Sequence, residues 1–189
     1  MIEAAKDPAL RTTAIETLGR LRGAATPAIP TLKELLNDHD EWDHIRAAIA
    51  LSLIEPSQPK WRDELIRGMG EGEKSKRAYA AGILWAMTHD SKKVLPTLIE
   101  SLREDASFAY AYAFEPLAEI GPDAMEAVPL LLYFLKNGKH AYVELAARTL
   151  GRIGPEARLA VPELQEAAWS ADISLRRTAK EALKRINGE

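Results

Sequence analysis

The chain contains no cysteine. Disulfides, thiolate metal centres and cysteine nucleophiles are therefore excluded. Aromatic residues are scarce, 6% of 189 residues, while alanine and leucine dominate. That balance disfavours a β-sandwich and suits close-packed helices. No apolar run reaches the length of a membrane-spanning helix. The opening residues, MIEAAKDPALR, lack the long apolar stretch of a signal peptide. With no such stretch and no cysteine, a cytoplasmic location is expected. Positive charge is not in excess either. The net charge is −3, whereas a protein that neutralises phosphates carries a basic balance or a strong basic stripe. A Gly-rich phosphate loop, a nucleophile elbow and zinc-type ligand spacing are all missing.

What the chain does have is a period. Leu18, Leu53, Leu84, Leu117, Leu150 and Leu183 recur at intervals of 35, 31, 33, 33 and 33 residues. A fixed period in the range of roughly 20 to 50 residues marks a stacked-repeat protein. Each leucine lies eight residues into a helical stretch that starts at Leu10, Ile45, Lys76, Ala109, Tyr142 or Leu175. Halfway between lie Ala14, Ile49, Ala80, Ala113, Ala146 and Ala179. Positions i, i+4 and i+8 share one helix face, and alanine at its middle lets a neighbouring helix come close. Twelve residues after the leucine stands a proline in four repeats: Pro30, Pro96, Pro129 and Pro162. Proline suits the first turn of a helix. Leucines at helical spacing follow it, and the second repeat, lacking the proline, offers Leu65, Ile66 and Met69 instead. Between the paired helices, IGPDA at 120–124 and IGPEA at 153–157 place Gly121 and Gly154 to close one helix and Pro122 and Pro155 to restart the chain.

The hydrophobic-Arg start, the alanine-rich helix, LGRIGPEA and AVP together resemble HEAT repeats, most closely the short bacterial kind called phycobilisome-lyase-like. The resemblance covers essentially the whole chain. It implies an all-α fold: a right-handed α-solenoid, or superhelix, of about five helical hairpins with partial repeats at both ends. Residues 1–189 are expected to form a single array. Residues 2–8 match the end of a second helix, as at 164–172, and the last first-type helix ends near Ile186. The array is therefore expected to be a piece of a longer solenoid, or to pack its ends on something.

The resemblance implies an interaction scaffold more than an enzyme. One HEAT-type enzyme, deoxyhypusine hydroxylase, holds iron through His-Glu pairs. Here His39, His44, His89 and His140 all lack a following glutamate, so neither that activity nor a metal or other cofactor is expected. His39–Asp40 and His89–Asp90 fall near helix ends, where capping is the expected role. No residue matches a pigment-handling role. Arg11, Arg46, Arg77 and Arg176 recur at one repeat position with Asp7, Asp43, Glu73 and Asp172 just before them, which suggests a structural ladder. Arg176, Arg177, Lys180, Lys184 and Arg185 make the last helix basic, with Glu181 interrupting the run.

The second helices carry the candidate site. Counted from the proline, positions one, four and eight point away from the buried ones. They hold Glu34; Glu64 and Arg67; Thr97, Glu100 and Glu104; Leu130 and Tyr133; Glu163 and Glu166. The expected face is acidic with one apolar step in repeat four. Seven of the eight Phe and Tyr residues lie in that stretch: Phe108, Tyr110, Tyr112, Phe114, Tyr133, Phe134 and Tyr142. Pro116 interrupts its first helix, and either a functional locus or rings filling a kink would explain the cluster. A non-catalytic protein-binding scaffold for a basic or mixed partner is the expected function. An accessory, lyase-like or oxidoreductase-type HEAT protein and a nucleic-acid binder are the alternatives.

Overall fold

A computed structural model describes residues 1–36, 41–70, 74–103 and 109–189, and only the backbone of residues 41, 74, 109–111 and 140. Every regular element among them is helical. The chain divides into two compact units, Met1–Leu84 and Trp85–Glu189.

The first unit contains α1 (Ile2–Lys6), α2 (Arg11–Leu21), α3 (Ile29–Leu35), α4 (Glu41–Ile54), α5 (Pro59–Gly70) and the start of α6 (Lys74–Thr88). The first-type helices α2 and α4 pack on one another, while α1 and α3 lie against them as a second layer. In α2 the buried residues are Ala14, Ile15, Leu18 and Gly19, the i+4 and i+8 positions with their neighbours, while Leu10 at position i precedes the helix and is exposed. α4 is apolar on more than one side. It buries Ile45, Ala47, Ala48, Ala50, Leu51 and Ile54, so its marker Leu53 is only half-buried at the edge. The second helix of this repeat does begin on a proline, Pro59, a few residues earlier than the repeat pattern suggests. Trp61, Leu65 and Met69 at i, i+4 and i+8 form its buried face, and Ile66 is exposed.

The second unit holds the end of α6, then α7 (Ser91–Arg103), α8 (Ala109–Ile120), α9 (Val128–Asn137), α10 (His140–Ile153), α11 (Val161–Ala167) and α12 (Ile173–Asn187). It too has two layers. α8, α10 and α12 are neighbours in order, and α7, α9 and α11 are neighbours in order on the other side. This is the stacking of helical hairpins expected of an α-solenoid. Ala113, Leu117, Leu131, Ala146, Leu150, Ile153, Leu164 and Ala179 are fully buried between the layers.

The turns follow the sequence closely. Gly121 and Gly154 take positive φ, 67° and 80°. Each opens a short 3-10 segment, Gly121–Ala127 and Gly154–Ala160, and the second helix starts one residue before Pro129 or Pro162. α7 differs. It begins five residues before Pro96, which stands inside the helix on its exposed side. This hairpin turns directly at His89, whose φ of 53° and N–H bond to Trp85 O close α6. No 3-10 segment is needed, and Pro96 forgoes one helix hydrogen bond on the solvent side.

The recurring arginine is structural. Arg11 donates to Ala5 O and, across to the next repeat, to Asp43 at 3.1 Å. Arg77 donates to Met69 O at 2.8 Å and Arg176 to Ser170 O at 2.8 Å. These three guanidinia thus reach back to carbonyls at or just past the end of the preceding helix, while Arg46 pairs with Asp43 at 3.6 Å. Asp172 Oδ1 caps α12 through Ser174 and Leu175 N–H. Asp7 instead accepts from Ala9 N–H in the turn before α2.

Candidate functional site

The second-helix positions separate into two kinds. The residue just after the proline is not outward-facing: Thr31 is buried, and Thr97, Leu130 and Glu163 are half-buried, because this position leans on the neighbouring hairpin. The residue four after the proline is the outward one. Glu34, Tyr133 and Glu166 are exposed there, with Glu100 half-buried. Glu104, Phe108 and His39 lie outside the described residues, as do the side chains of Tyr110 and His140.

In the first unit the acidic character is partly spent. Glu64 forms an ion pair with Arg67 and approaches His44 Nε2 at 3.5 Å. The other ring nitrogen of His44 lies 2.6 Å from Leu36 O, which ties this histidine into the hairpin. Trp61 is buried, donates to Glu55 at 3.1 Å and has the Lys60 ammonium 4.2 Å from its ring. Glu34 stands exposed on α3. In α7, Glu100 lies 3.9 Å from Arg103.

The second unit gathers the rest. On α9, Leu130, Tyr133 and Lys136 follow at three-residue spacing, and on the adjacent α11 and its final turn Glu163, Glu166 and Trp169 do the same. Residues three apart share a helix face, so two parallel rows result. The Lys136 ammonium pairs with Glu163 Oε1 and links the rows. That hydrogen bond is the largest cause holding the Glu163 carboxyl below its ordinary value; its own backbone N–H and the Lys136 charge add to it, and burial opposes it. The other oxygen, Glu163 Oε2, is buried and finds no hydrogen-bond partner among the described residues.

Two large rings on these same two helices are exposed. Tyr133 is 60% exposed and Trp169 87% exposed. Between the helices opens a cleft of about 530 Å³ lined by Leu135, Lys136, Val143, Glu163, Glu166 and Trp169 among others. Behind Tyr133 the aromatic cluster is core: Phe134 packs edge-on against Phe114 at 5.6 Å and near Tyr142 at 6.4 Å, with Phe114 and Phe134 both buried. The rings of repeat four therefore do two jobs, filling the interior and leaving Tyr133 outside.

The sequence pattern named Leu130, Tyr133, Glu163 and Glu166 but passed over Lys136 and Trp169. Both stand seven residues after the proline, and the spacing from position four to position seven was the available signal.

On the opposite layer the basic residues of α12 are divided. Arg176 is engaged with Ser170 O and Arg185 with Glu181, so Arg177, Lys180 and Lys184 remain on its outer side. Among the described residues no group of three or more His, Asp or Glu side chains is placed to hold a metal ion. No helix among them is long and apolar enough to cross a membrane.

A family model for HEAT repeats matches residues 1–83. No curated protein matches the chain. The match covers the first unit, and the second unit is built from the same two-layer hairpins and the same proline-led second helix. The chain carries HEAT repeats over residues 1–83, and its second unit repeats their hairpin plan.

Proposed function

We propose that this protein is a non-catalytic scaffold that binds another protein through the second-helix face of repeats four and five. The observation that carries the reading is the exposure of Tyr133 on α9 and of Trp169 at the end of α11, two helices joined by the Lys136–Glu163 pair. Large rings left in water beside a charged rim are the composition of a binding hot spot. Scattered exposed apolar residues are ordinary, but a highly exposed indole lining a cleft, with an exposed tyrosine on the adjacent helix, is less so. The partner is basic or mixed in charge. With Lys136 engaged by Glu163, Glu166 supplies the remaining negative charge of this face. A nucleic-acid partner is disfavoured because Glu181 and the engaged Arg176 and Arg185 break up the basic run of α12.

The test is quantitative capture of partners from host extract by the wild type and by Tyr133→Ala/Glu166→Lys. Truncating a hot-spot ring costs at least about 2 kcal/mol, roughly thirtyfold in Kd. The variant should keep its helical content and lose most captured protein. Equal capture of every partner by the two proteins rules this face out.

A further inference from the structure

Resting on the reading of this face as protein-binding, we infer that the cleft between α9 and α11 receives one arginine side chain from an extended segment of the partner. Its guanidinium lies on the Trp169 indole and donates to Glu166 and to Glu163 Oε2, while its methylene stem rests on Leu135 and Val143.

Charge sets the number of cations. The lining carries two carboxylates, Glu163 and Glu166, against one ammonium, Lys136. One negative charge is left over, and one incoming cation balances it. Geometry sets the kind of cation. The Trp169 ring is 87% exposed and offers a free π-face beside Glu166 one helical turn away. A planar guanidinium can stack flat on that face and still donate in its own plane to a carboxylate; a tetrahedral ammonium covers less of the ring and makes no two-pronged contact with the carboxylate. Hydrogen bonding sets the depth. Glu163 Oε2 is buried without a partner among the described residues, and an unpaired buried acceptor is costly. A donor that reaches this oxygen as the carboxylate turns toward the cleft relieves the cost. The apolar floor, with Leu135 buried and Val143 half-buried, suits the aliphatic part of the same side chain.

The experiment uses the full chain labelled with ¹⁵N. The Trp169 indole N–H is assigned by its loss in Trp169→Phe. Three acetylated, amidated pentapeptides are titrated: Gly-Leu-Arg-Leu-Gly and its lysine and citrulline counterparts. The arginine peptide should shift the Trp169 indole resonance saturably. Lysine should bind about tenfold more weakly and citrulline more weakly still, and Glu166→Gln should weaken the arginine peptide about tenfold with the backbone spectrum preserved. Equal binding of citrulline, an indole unmoved by millimolar arginine peptide, or indifference to Glu166→Gln overturns the inference. So does an indole that shifts with protein concentration alone, which identifies a second copy of this chain as the occupant. Inert peptides together with capture that depends on Tyr133 discard the arginine and leave the scaffold standing. Capture indifferent to the face removes both.

Discussion

Arg22 stands at the repeat position that Gly121 and Gly154 fill, and it adopts the same turn, with φ 51° and ψ −134°. Glycine enters that region freely; a residue with a Cβ stores of order 1–3 kcal/mol of strain there. Arg22→Gly should therefore raise stability by about 1 kcal/mol in urea denaturation, and a loss of stability would contradict the account. The glycines were readable because IGPDA and IGPEA announce their turns. Arg22 was not, since repeat one spells the segment LRGAATP with its glycine one place later, and packing forces the turn onto the arginine. Glu163 shows the complementary case, a site residue whose electrostatics no spacing could reveal. Its lowered carboxyl pKa means that the folded state favours the charged form. Its stabilising contribution is full above the ordinary value of 4.5 and is lost as pH falls through the lowered one. Lys136→Met should move the Glu163 titration upward and shrink the acid-dependent loss of stability. Carboxyl ¹³C titration checks this, and an unchanged midpoint argues against Lys136 as the main cause.

Helix crossings depend on residues that the period did not single out. A Cβ on Gly151 would lie 2.7 Å from Ala182 Cα, so α10 and α12 meet there backbone to backbone. Gly19 sits at the same repeat position, with Ala50 Cα at 3.2 Å from where its Cβ would be. The alanines at the middle of the face were legible as close-packing positions, whereas the glycine after the marker leucine was hidden by Ala118 and Trp85 in the other repeats. Gly151→Ala should destabilise by about 1–3 kcal/mol through overpacking. Gly23→Ala, where nothing lies within 4 Å, should cost far less. Equal effects in chemical denaturation would refute the close crossing. Other elements were read in type and misplaced in detail. α7 starts five residues ahead of Pro96 because its hairpin lacks the 3-10 turn, and α5 starts on Pro59, outside the expected spacing. The arginine ladder was foreseen, yet its main contacts are carbonyls of the preceding helix, since a long side chain at a helix start lies beside the unpaired end of the one before.

At the scale of the molecule, HEAT repeats divide their residues between inter-hairpin cores and long exposed helix faces. The period made the cores legible in both units, because burial repeats wherever the hairpin repeats. The binding face was legible only in part. Tyr133 breaks the polar pattern and is visible; Trp169, late in a second helix, reads from the sequence as a partly exposed ring, and packing leaves it 87% exposed. The sharpest test of the central claim is site-specific photo-cross-linking in the native host, with the reactive residue placed at 133, at 169 or, as a comparison, at 180 on the outer side of α12. Covalent adducts to one and the same protein from positions 133 and 169, and not from 180, are predicted. Adducts from 180 alone would place the partner on the opposite layer and contradict the account.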